Sequence, residues 1–285
     1  MHTVCNTLPA PHLHARPCGA RRISMLTDDA LANAAGVRIA FTGREGGESK
    51  GAYSSLNLGA HVRDNLDNVM QNRVLVMEAL GAPDVAAIVP NQVHGTEIVT
   101  VGAADAASVV AAQQRAQAGA DALVVTVPNV AAMLCFADCT PVIIVSPSGR
   151  FAVAHAGWRG VVGNIAALSA QRLAAADGAQ DAQQARQLAT TYNVYIGPHI
   201  HACHFEVGEE VVAQFREIFG ESCIVDSRHV SMLEALSVGL ERVGVMRSRI
   251  CDAGICTQCN PSQYYSYRAS GGVCGRHGAI AFRKG

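Results

Sequence analysis

The sequence predicts an α+β fold in which mixed β-sheets pack with helices. Short segments rich in β-branched and apolar residues follow one another across short turns, and helical patterns lie at wider spacings. Strands joined by short turns form antiparallel pairs, so this order argues against a doubly wound parallel sheet. The chain has 285 residues, of which 49% are hydrophobic, and this content is enough for a sizeable core.

The predicted strands are short apolar runs bounded by turn-forming residues. They cover residues 37–42, 88–90, 97–101, 122–127, 131–136, 142–145, 151–154 and 192–196. Helices are predicted at residues 65–80, 161–176, 209–219 and 232–243. In the first helix, apolar residues recur on one face, and Gly81 ends the pattern. The Ala- and Gln-rich segments 103–119 and 174–189 are predicted to be surface helices or variable insertions.

Residues 1–35 are predicted to form a loosely ordered N-terminal extension, helical in part near residues 28–34. His, Pro, Arg and Cys mix there without sustained periodicity. Residues 36–285 are predicted to form a single domain, because they contain no repeat and no linker.

Composition restricts the partners and the compartment. The net charge of −1 lacks the basic surplus of nucleic-acid binding proteins, and the longest apolar runs are too short to span a bilayer. No clean signal-peptide core is present. We therefore expect a cytoplasmic monomer or small homo-oligomer with no nucleic-acid or membrane partner. The ten cysteines of such a chain are expected to be reduced, buried or metal-bound.

His94, Cys139 and His155 form the strongest candidate site. Residues 142–145 and 151–154 flank a Ser-Pro-Ser-Gly turn. In the resulting antiparallel hairpin, facing residues have numbers that sum to about 295. Cys139 and His155 therefore share its open end, and His94 can join them from its own turn. One thiolate and two imidazoles suit a zinc ion with a fourth position for water or substrate. The alternative is two turn histidines beside a core cysteine.

Neighbouring residues supply further candidates. Asp138 adjoins the thiolate and is a candidate general base or metal-supporting carboxylate. Trp158, the only tryptophan, and Arg159 suit stacking on a flat ring and holding an anion, although a core tryptophan beside a surface arginine is the simpler explanation. Arg44 lies in a Gly-rich loop that could bind an anion but lacks the P-loop ending. Asn57 is a polar group among apolar neighbours.

The C-terminal cysteines allow two competing metal interpretations. Cys251, Cys256 and Cys259 have the spacing of a plant-type ferredoxin site. Cys256 and Cys259 together with Cys274 and His277 instead resemble a structural zinc site. Both interpretations need the same cysteines, so ordinary buried or surface thiols remain the alternative.

The segment HIHACH places His199, His201 and His204 at spacings that can bind copper or zinc. A multicopper oxidase needs several complete copper sites on β-sandwich domains, and the predicted helices argue against that architecture. Solvated loop histidines are the simpler interpretation.

The order of the motifs resembles one known family. Along the chain stand GAYSSLNLGAHVRD, PNQVHGTEIV, DALVV, ADCTPVII, AVAHAGWRGVVGNI, IGPHIHACHFEVGEEV and a terminal CT…YSYR…GR. Together they resemble the YfiH-like or laccase-domain family, also labelled polyphenol oxidases or peptidoglycan editing factors. The resemblance covers residues 37–285, and the ADC-x-P and HAGWRG pair is highly specific to it.

The resemblance implies a mixed-sheet α/β sandwich of the YfiH and CNF-like toxin type. It also implies a zinc-dependent enzyme that phosphorolyses adenosine, inosine, guanosine and methylthioadenosine and deaminates adenosine. The partners would then be a purine nucleoside and inorganic phosphate. The zinc ligands of the family fall on His94, Cys139 and His155, the trio proposed above from the residues alone. The older laccase label implies copper, which this donor set also accepts.

For this chemistry we expect Arg44 and Arg159 to hold phosphate or ribose and Asp138 to move a proton. Substrate contacts are expected from Asn57, Trp158 and Arg268. The chain departs from the family after Arg268, where Ala269 and Ser270 replace the usual Arg-Asp pair. If that pair contacts substrate, affinity or specificity differs here.

Two other functions stay open. A copper-dependent polyphenol oxidase would consume oxygen with a phenolic substrate. A cysteine hydrolase would use Cys139 as nucleophile and His155 as base, with an aspartate orienting the histidine.

Overall fold

Two six-stranded β-sheets form the frame of the described residues. The computed structural model describes residues 7–285. Its strands are β1 (His14–Cys18), β2 (Ile23–Thr27), β3 (Val37–Thr42), β4 (Ala86–Ile88), β5 (Ile98–Val101), β6 (Ala122–Val125), β7 (Val130–Phe136), β8 (Thr140–Val145), β9 (Phe151–Ala156), β10 (Asn193–Ile196), β11 (Ile250–Asp252) and β12 (His277–Arg283). Its α-helices are α1 (Asp29–Ala35), α2 (Leu66–Ala79), α3 (Ala106–Gln117), α4 (Trp158–Val162), α5 (Ile165–Ala176), α6 (Ala182–Ala189), α7 (Glu209–Phe219) and α8 (Met232–Arg242).

Both sheets are mixed. The first has the strand order β1-β2-β3-β12-β7-β4, and the second has the order β11-β10-β8-β9-β6-β5. The β4–β7, β5–β6 and β10–β11 pairs are parallel, whereas the other neighbouring pairs are antiparallel. This arrangement confirms the predicted mixed-sheet α+β class.

The two sheets share one apolar layer. Ile39 and Leu134 from the first sheet and Ile143 and Val153 from the second are buried in it. Helices α5, α7 and α8 pack on the other face of the second sheet, and α2 packs on the other face of the first. Because both faces of the central strands are covered, β7, β8 and β9 are buried along their whole length.

Most predicted elements are present, with shifts of a few residues at their ends. The predicted helix 161–176 is divided into α4 and α5, because Asn164 adopts a left-handed φ of 58°. The sequence analysis predicted none of the strands β1, β2, β11 and β12. Strand β12 lies between β3 and β7 in the first sheet, although its sequence, HGAIAFR, contains only one β-branched residue.

The N-terminal segment is more ordered than predicted. Strands β1 and β2 pair with each other, and β2 extends the first sheet through β3. Asp28 caps α1 by accepting the Leu31 N–H at 2.9 Å and also accepts the buried Tyr195 hydroxyl at 2.7 Å. These contacts correct the expectation of a loose extension for residues 7–35, because they tie the segment to the second sheet. The first six residues lie outside the described residues.

The described part of the chain contains no helix that is both long and apolar enough to cross a membrane.

Candidate active site

The hairpin of β8 and β9 brings Cys139 and His155 together. Pro141 faces His155 across the hairpin, one position from the predicted register. Cys139 immediately precedes β8, so its thiol lies at the same open end, as the turn position indicated. The preceding residue, Asp138, has a φ of 83°, which bends the chain between β7 and β8.

His94 joins this pair from the loop between β4 and β5, where its own φ is 60°. Its Nδ1 lies 4.0 Å from Sγ of Cys139, and its ring centroid lies 4.8 Å from that of His155. One possible ligand atom from each of the three residues lies within 4.8 Å of the others. The structure therefore brings the three predicted ligands into one candidate metal site.

Asp121, which immediately precedes β6, positions two of the candidate ligands through hydrogen bonds. Its Oδ1 accepts hydrogen bonds from Nδ1 of His155 at 2.8 Å and from the backbone N–H of His94 at 3.0 Å. Its Oδ2 accepts the N–H groups of Gly95 at 2.7 Å and Val93 at 3.2 Å. Because Nδ1 donates to this carboxylate, Nε2 of His155 is the nitrogen that could bind a metal ion once it has lost its proton.

The electrostatics favour the metal-binding form of the cysteine. Burial would raise the pKa of Cys139, but the charge of His155 and hydrogen bonds from His155 and His94 outweigh it and lower that pKa to about 6. Burial would lower the pKa of His155, but the Cys139 thiolate and Asp121 raise it to about 9. Without a metal the pair therefore holds a thiolate beside an imidazolium near neutral pH, and a bound metal ion would replace the shared proton.

The space between the ligands is kept open by Gly157. A Cβ atom at this position would lie 2.7 Å from Nδ1 of His94 and 3.3 Å from Sγ of Cys139. The donor set of one thiolate and two imidazole nitrogens fits a borderline-soft divalent ion. The residues present therefore fit a metal ion held by three protein ligands with a further position open.

The three residues lie at the wall of a cavity of about 440 Å³, a size typical of small-molecule sites. Its apolar lining includes Ile200, Phe205 and Tyr267. Its polar lining includes His61, Gln92, Asp138, Arg268 and Arg276. A smaller cavity of about 160 Å³ reaches His94 and Cys139 from the side of Trp158 and Arg159.

A family model described as multi-copper polyphenol oxidoreductase laccase matches residues 38–284. The chain belongs to this family. The purine nucleoside phosphorylase YlmD of Geobacillus stearothermophilus is 33% identical over 88% of this chain and 91% of its own length. The adenosine deaminase RL5 of an unknown prokaryotic organism is 29% identical over 87% of this chain and 95% of its own.

The fold comparison agrees with the family assignment. The crystal structure of the hypothetical protein YfiH of Bacillus licheniformis superposes with a TM-score of 0.80 at 26% identity, covering 94% of this chain and 97% of that one. The resemblance to the YfiH-like family is thereby confirmed. Its relatives carry enzyme names, which confirms the expectation of an enzyme.

Several other predicted site residues reach these cavities. The Arg159 guanidinium stacks on the Trp158 ring at 4.3 Å, and both residues line the smaller cavity. Asp138 lines both cavities, while its oxygens accept the Thr257 hydroxyl and the Arg268 N–H, each at 2.7 Å. The carboxylate that orients His155 is Asp121, whereas the Asp138 carboxylate accepts from Thr257 and Arg268.

Arg44 lies outside both cavities. Its Nε and Nη2 donate to the Ser54 carbonyl at 3.0 and 2.8 Å, and its Nη1 donates to the Pro261 carbonyl at 2.6 Å. The guanidinium also stacks on Tyr265 at 4.6 Å. Its donors are committed to loop backbone, so the predicted phosphate role of Arg44 is not supported by the structure.

Asn57 is also a structural residue. It is fully buried, donates to Asp64 at 2.8 Å, and accepts the N–H groups of Gly59 at 2.9 Å and Arg276 at 2.8 Å. Its predicted substrate contact is not supported, because its amide is already satisfied by the chain. It instead positions Arg276, which does line the cavity.

The sequence interpretation missed the cavity residues His61, Gln92 and Arg276 and the supporting carboxylate Asp121, although each stands inside a motif of the family pattern. Asp121 begins DALVV, His61 lies in GAHVRD, Gln92 lies in PNQVHG, and Arg276 closes the terminal GR. Burial and the charge of Arg276 lower the pKa of His61 to about 4, so its imidazole is neutral at pH 7. The signal that could have found them was therefore the position of each polar residue inside a motif of the family pattern.

The C-terminal cysteines do not follow either predicted grouping. Cys256 and Cys259 meet Cys203 and His204, a residue interpreted above as a solvated loop histidine. Among the described residues, Cys251, Cys274 and His277 belong to no group of possible metal ligands. Both spacing-based interpretations are therefore wrong, because the partners of the C-terminal pair come from the loop after β10.

His199 and His201 form a separate group with Asp252. Their ring centroids are 4.5 Å apart, and His199 is almost fully buried. His199 is therefore buried, and His201 is half-buried against it and against β11, which corrects the interpretation of both as solvated loop histidines.

Proposed function

We propose that this chain is a zinc-dependent purine nucleoside phosphorylase that also deaminates adenosine. Its substrates would be adenosine, inosine, guanosine and methylthioadenosine, together with inorganic phosphate. The observation that carries the proposal is the 440 Å³ cavity, in which three possible metal ligands share a wall with two arginines and an aromatic side chain. The names of the relatives from Geobacillus stearothermophilus and the unknown prokaryote support the two reactions.

The metal role follows from the donor set. A zinc ion held by His94, Cys139 and His155 would supply a Lewis acid and lower the pKa of a water molecule. Asp121 preorganises this site, because it holds the His155 ring and the His94 backbone in place through hydrogen bonds.

In phosphorolysis, a phosphate oxygen bonds to the anomeric carbon of ribose while the bond from that carbon to the purine nitrogen breaks. The products are ribose 1-phosphate and the free purine. Arg276 and Arg268 give the cavity positive charge that favours the phosphate anion, although Arg268 acts by its charge alone, because its guanidinium donates to the carbonyls of His204 and Glu206. Tyr267 supplies an aromatic surface for the base. Asp138 lines both cavities and is placed to carry the proton of the attacking dihydrogen phosphate to the departing purine.

In deamination, water adds to the purine C6 carbon, and the amino group gains a proton and leaves as ammonia. Asp138 can take the proton of the attacking water and return it to the leaving amine. His61 can accept or donate a hydrogen bond at neutral pH, because its lowered pKa of about 4 keeps the ring uncharged. Both reactions use one cavity and one proton carrier, so they should be lost together.

The decisive experiment combines metal analysis with an assay of free purine released from adenosine and inosine. We expect about one zinc ion at this site per chain and purine release that requires phosphate. Cys139→Ala should lose this metal and both activities, while the matched variant Cys251→Ala keeps them. Phosphorolysis that persists in metal-free Cys139→Ala would overturn the proposal.

A copper phenol oxidase is the second candidate, because the family model itself is described in those terms. Copper in the purified protein and oxygen uptake with a phenolic substrate would identify it. Purine release without oxygen uptake would reject it.

A cysteine hydrolase is the third candidate, because Asp121 orients His155 through a 2.8 Å hydrogen bond and the charge of His155 lowers the pKa of the Cys139 thiol. In metal-free protein this activity would survive and would be abolished by alkylation of Cys139. An activity that needs metal would reject it.

A further inference from the structure

A second group of metal-ligand side chains lies beside the active-site cavity. Its members are Cys203, His204, Cys256 and Cys259, here called the Cys3His cluster. The first two lie in the loop after β10, and the others lie in the loop after β11. The cluster shares no residue with the His94, Cys139 and His155 site.

The distances in the Cys3His cluster match the edges of a tetrahedron. With metal–sulfur bonds of about 2.3 Å and metal–nitrogen bonds of about 2.0 Å, sulfur atoms stand about 3.8 Å apart and sulfur and nitrogen about 3.5 Å apart. Sγ of Cys203 lies 3.7 Å from Sγ of Cys256 and 3.7 Å from Sγ of Cys259. Nδ1 of His204 lies 3.2, 3.9 and 3.4 Å from the sulfurs of Cys203, Cys256 and Cys259.

The same distances exclude a disulfide in this arrangement. Bonded sulfur atoms lie about 2.0 Å apart, and no pair in the cluster is that close. Cys203 and Cys259 are exposed, so an ion in solution can reach them, whereas Cys256 is buried. Three thiols and one imidazole nitrogen that face one point are the donor set of a closed, structural zinc site.

We propose that the Cys3His cluster binds a second zinc ion, which has a structural role and no open coordination position. It would join two loops that are far apart in sequence. Backbone groups already bring them together, since His199 and Cys256 form a parallel bridge and the His201 N–H donates to Sγ of Cys256 at 3.4 Å. The ion would replace the weak hydrogen bonds among the three thiols and the imidazole with four metal–ligand bonds.

The position of the cluster gives this ion a consequence for the cavity. Ile200 and Phe205, which flank the ligands Cys203 and His204, line the cavity. The Arg268 guanidinium, also in the lining, donates to the carbonyls of His204 at 3.3 Å and Glu206 at 3.1 Å. The cluster therefore holds the wall that carries Arg268, and loss of its metal should loosen that wall.

The first test uses Cys139→Ser protein, so that the other candidate site contributes no sulfur. Purified after growth with zinc, this variant should retain about one zinc ion per chain, and its zinc X-ray absorption should show three sulfurs at about 2.3 Å and one nitrogen at about 2.0 Å. Absence of bound zinc, or a zinc shell without sulfur, would overturn the proposal. So would a disulfide between two of the three cysteines in freshly purified protein, detected by mass spectrometry.

The second test changes the ligands in the same Cys139→Ser background. Cys259→Ser should lose the remaining zinc and lower the Tm, whereas Cys251→Ser, outside the cluster, should keep both unchanged. His204→Cys should keep the ion and convert its shell to four sulfurs, so the proposal stays testable if Cys259→Ser does not fold. A His204→Cys protein with an unchanged sulfur count would contradict the assignment.

This proposal is independent of the purine chemistry. If phosphorolysis fails but the three-sulfur zinc is present, the structural site stands alone. If phosphorolysis is found and the Cys139→Ser protein binds no zinc, the active site stands and the second site is rejected.

Discussion

Asp121 and His155 form a buried pair in which the carboxylate accepts a 2.8 Å hydrogen bond from Nδ1 of the ring. The same carboxylate accepts three successive backbone N–H groups, from Val93 to Gly95. One side chain therefore sets both the tautomer of one candidate ligand and the backbone conformation of another.

Asp121→Asn should weaken zinc binding at the catalytic site by about 10–100-fold, because an amide neither fixes the His155 tautomer nor carries the balancing charge. The measurement is a zinc competition titration in a background where the Cys3His cluster is occupied or removed. Asp84→Asn, at an exposed aspartate, is the matched control. Equal affinity in the two variants would show that Asp121 does not support the metal.

Gly157→Ala should weaken zinc binding without altering any ligand. The added methyl group would meet Nδ1 of His94 at 2.7 Å, so that ring has to move away from the shared point. We expect a loss of about tenfold or more in affinity, as for other changes that misorient a ligand. Gly102→Ala is the control, since a Cβ there meets nothing within 4 Å. Wild-type affinity in Gly157→Ala would show that the pocket relaxes easily.

Alkylation of metal-free protein should reveal the thiolate. Iodoacetamide reacts with the deprotonated cysteine, so modification of Cys139 should rise with pH through a midpoint near its pKa of about 6. Cys251, whose pKa is raised by burial, should react only at much higher pH and serves as an internal control in the same digest. In His155→Ala the Cys139 midpoint should move upward, because burial is then less opposed. An unchanged midpoint would contradict the ion-pair assignment.

Arg276→Ala should raise the KM for phosphate by about 10–100-fold, the range expected when a charged hydrogen bond of roughly 1.5–3 kcal/mol is lost. Deamination of adenosine uses no phosphate, so its KM should change much less. Arg172→Ala, at an exposed arginine on α5, controls for the loss of one positive charge. Equal losses in both reactions would instead assign Arg276 to nucleoside binding or to the cavity wall.

Asn57→Ala should destabilise the fold by about 3 kcal/mol, because it leaves several buried hydrogen-bond partners unsatisfied. Urea denaturation would measure this change. Asn68→Ala, at a partly exposed position of α2, should stay within about 0.5 kcal/mol of wild type. A stable Asn57→Ala protein with a raised substrate KM would restore the direct contact predicted from the sequence.

Local sequence determined much of the fold and the centre of the site. β-branched and apolar runs specified most strands, because such residues fit a pleated, buried surface. The Ser-Pro-Ser-Gly turn specified the β8–β9 hairpin and thereby the proximity of Cys139 and His155. His94 could be predicted as the third ligand only together with the other candidate residues, because its local sequence does not indicate which other turn it contacts.

The tertiary structure decided the remainder through contacts between distant segments. Strand β12 is stabilised by pairing with β3 and β7 on either side, so its weak local propensity gave little sign of it. The partners of Cys256 and Cys259 lie in the loop after β10, so the spacing of cysteines within the C-terminal segment could not predict them. Asp121 immediately precedes β6, and the packing of distant segments around its carboxylate makes it part of the site.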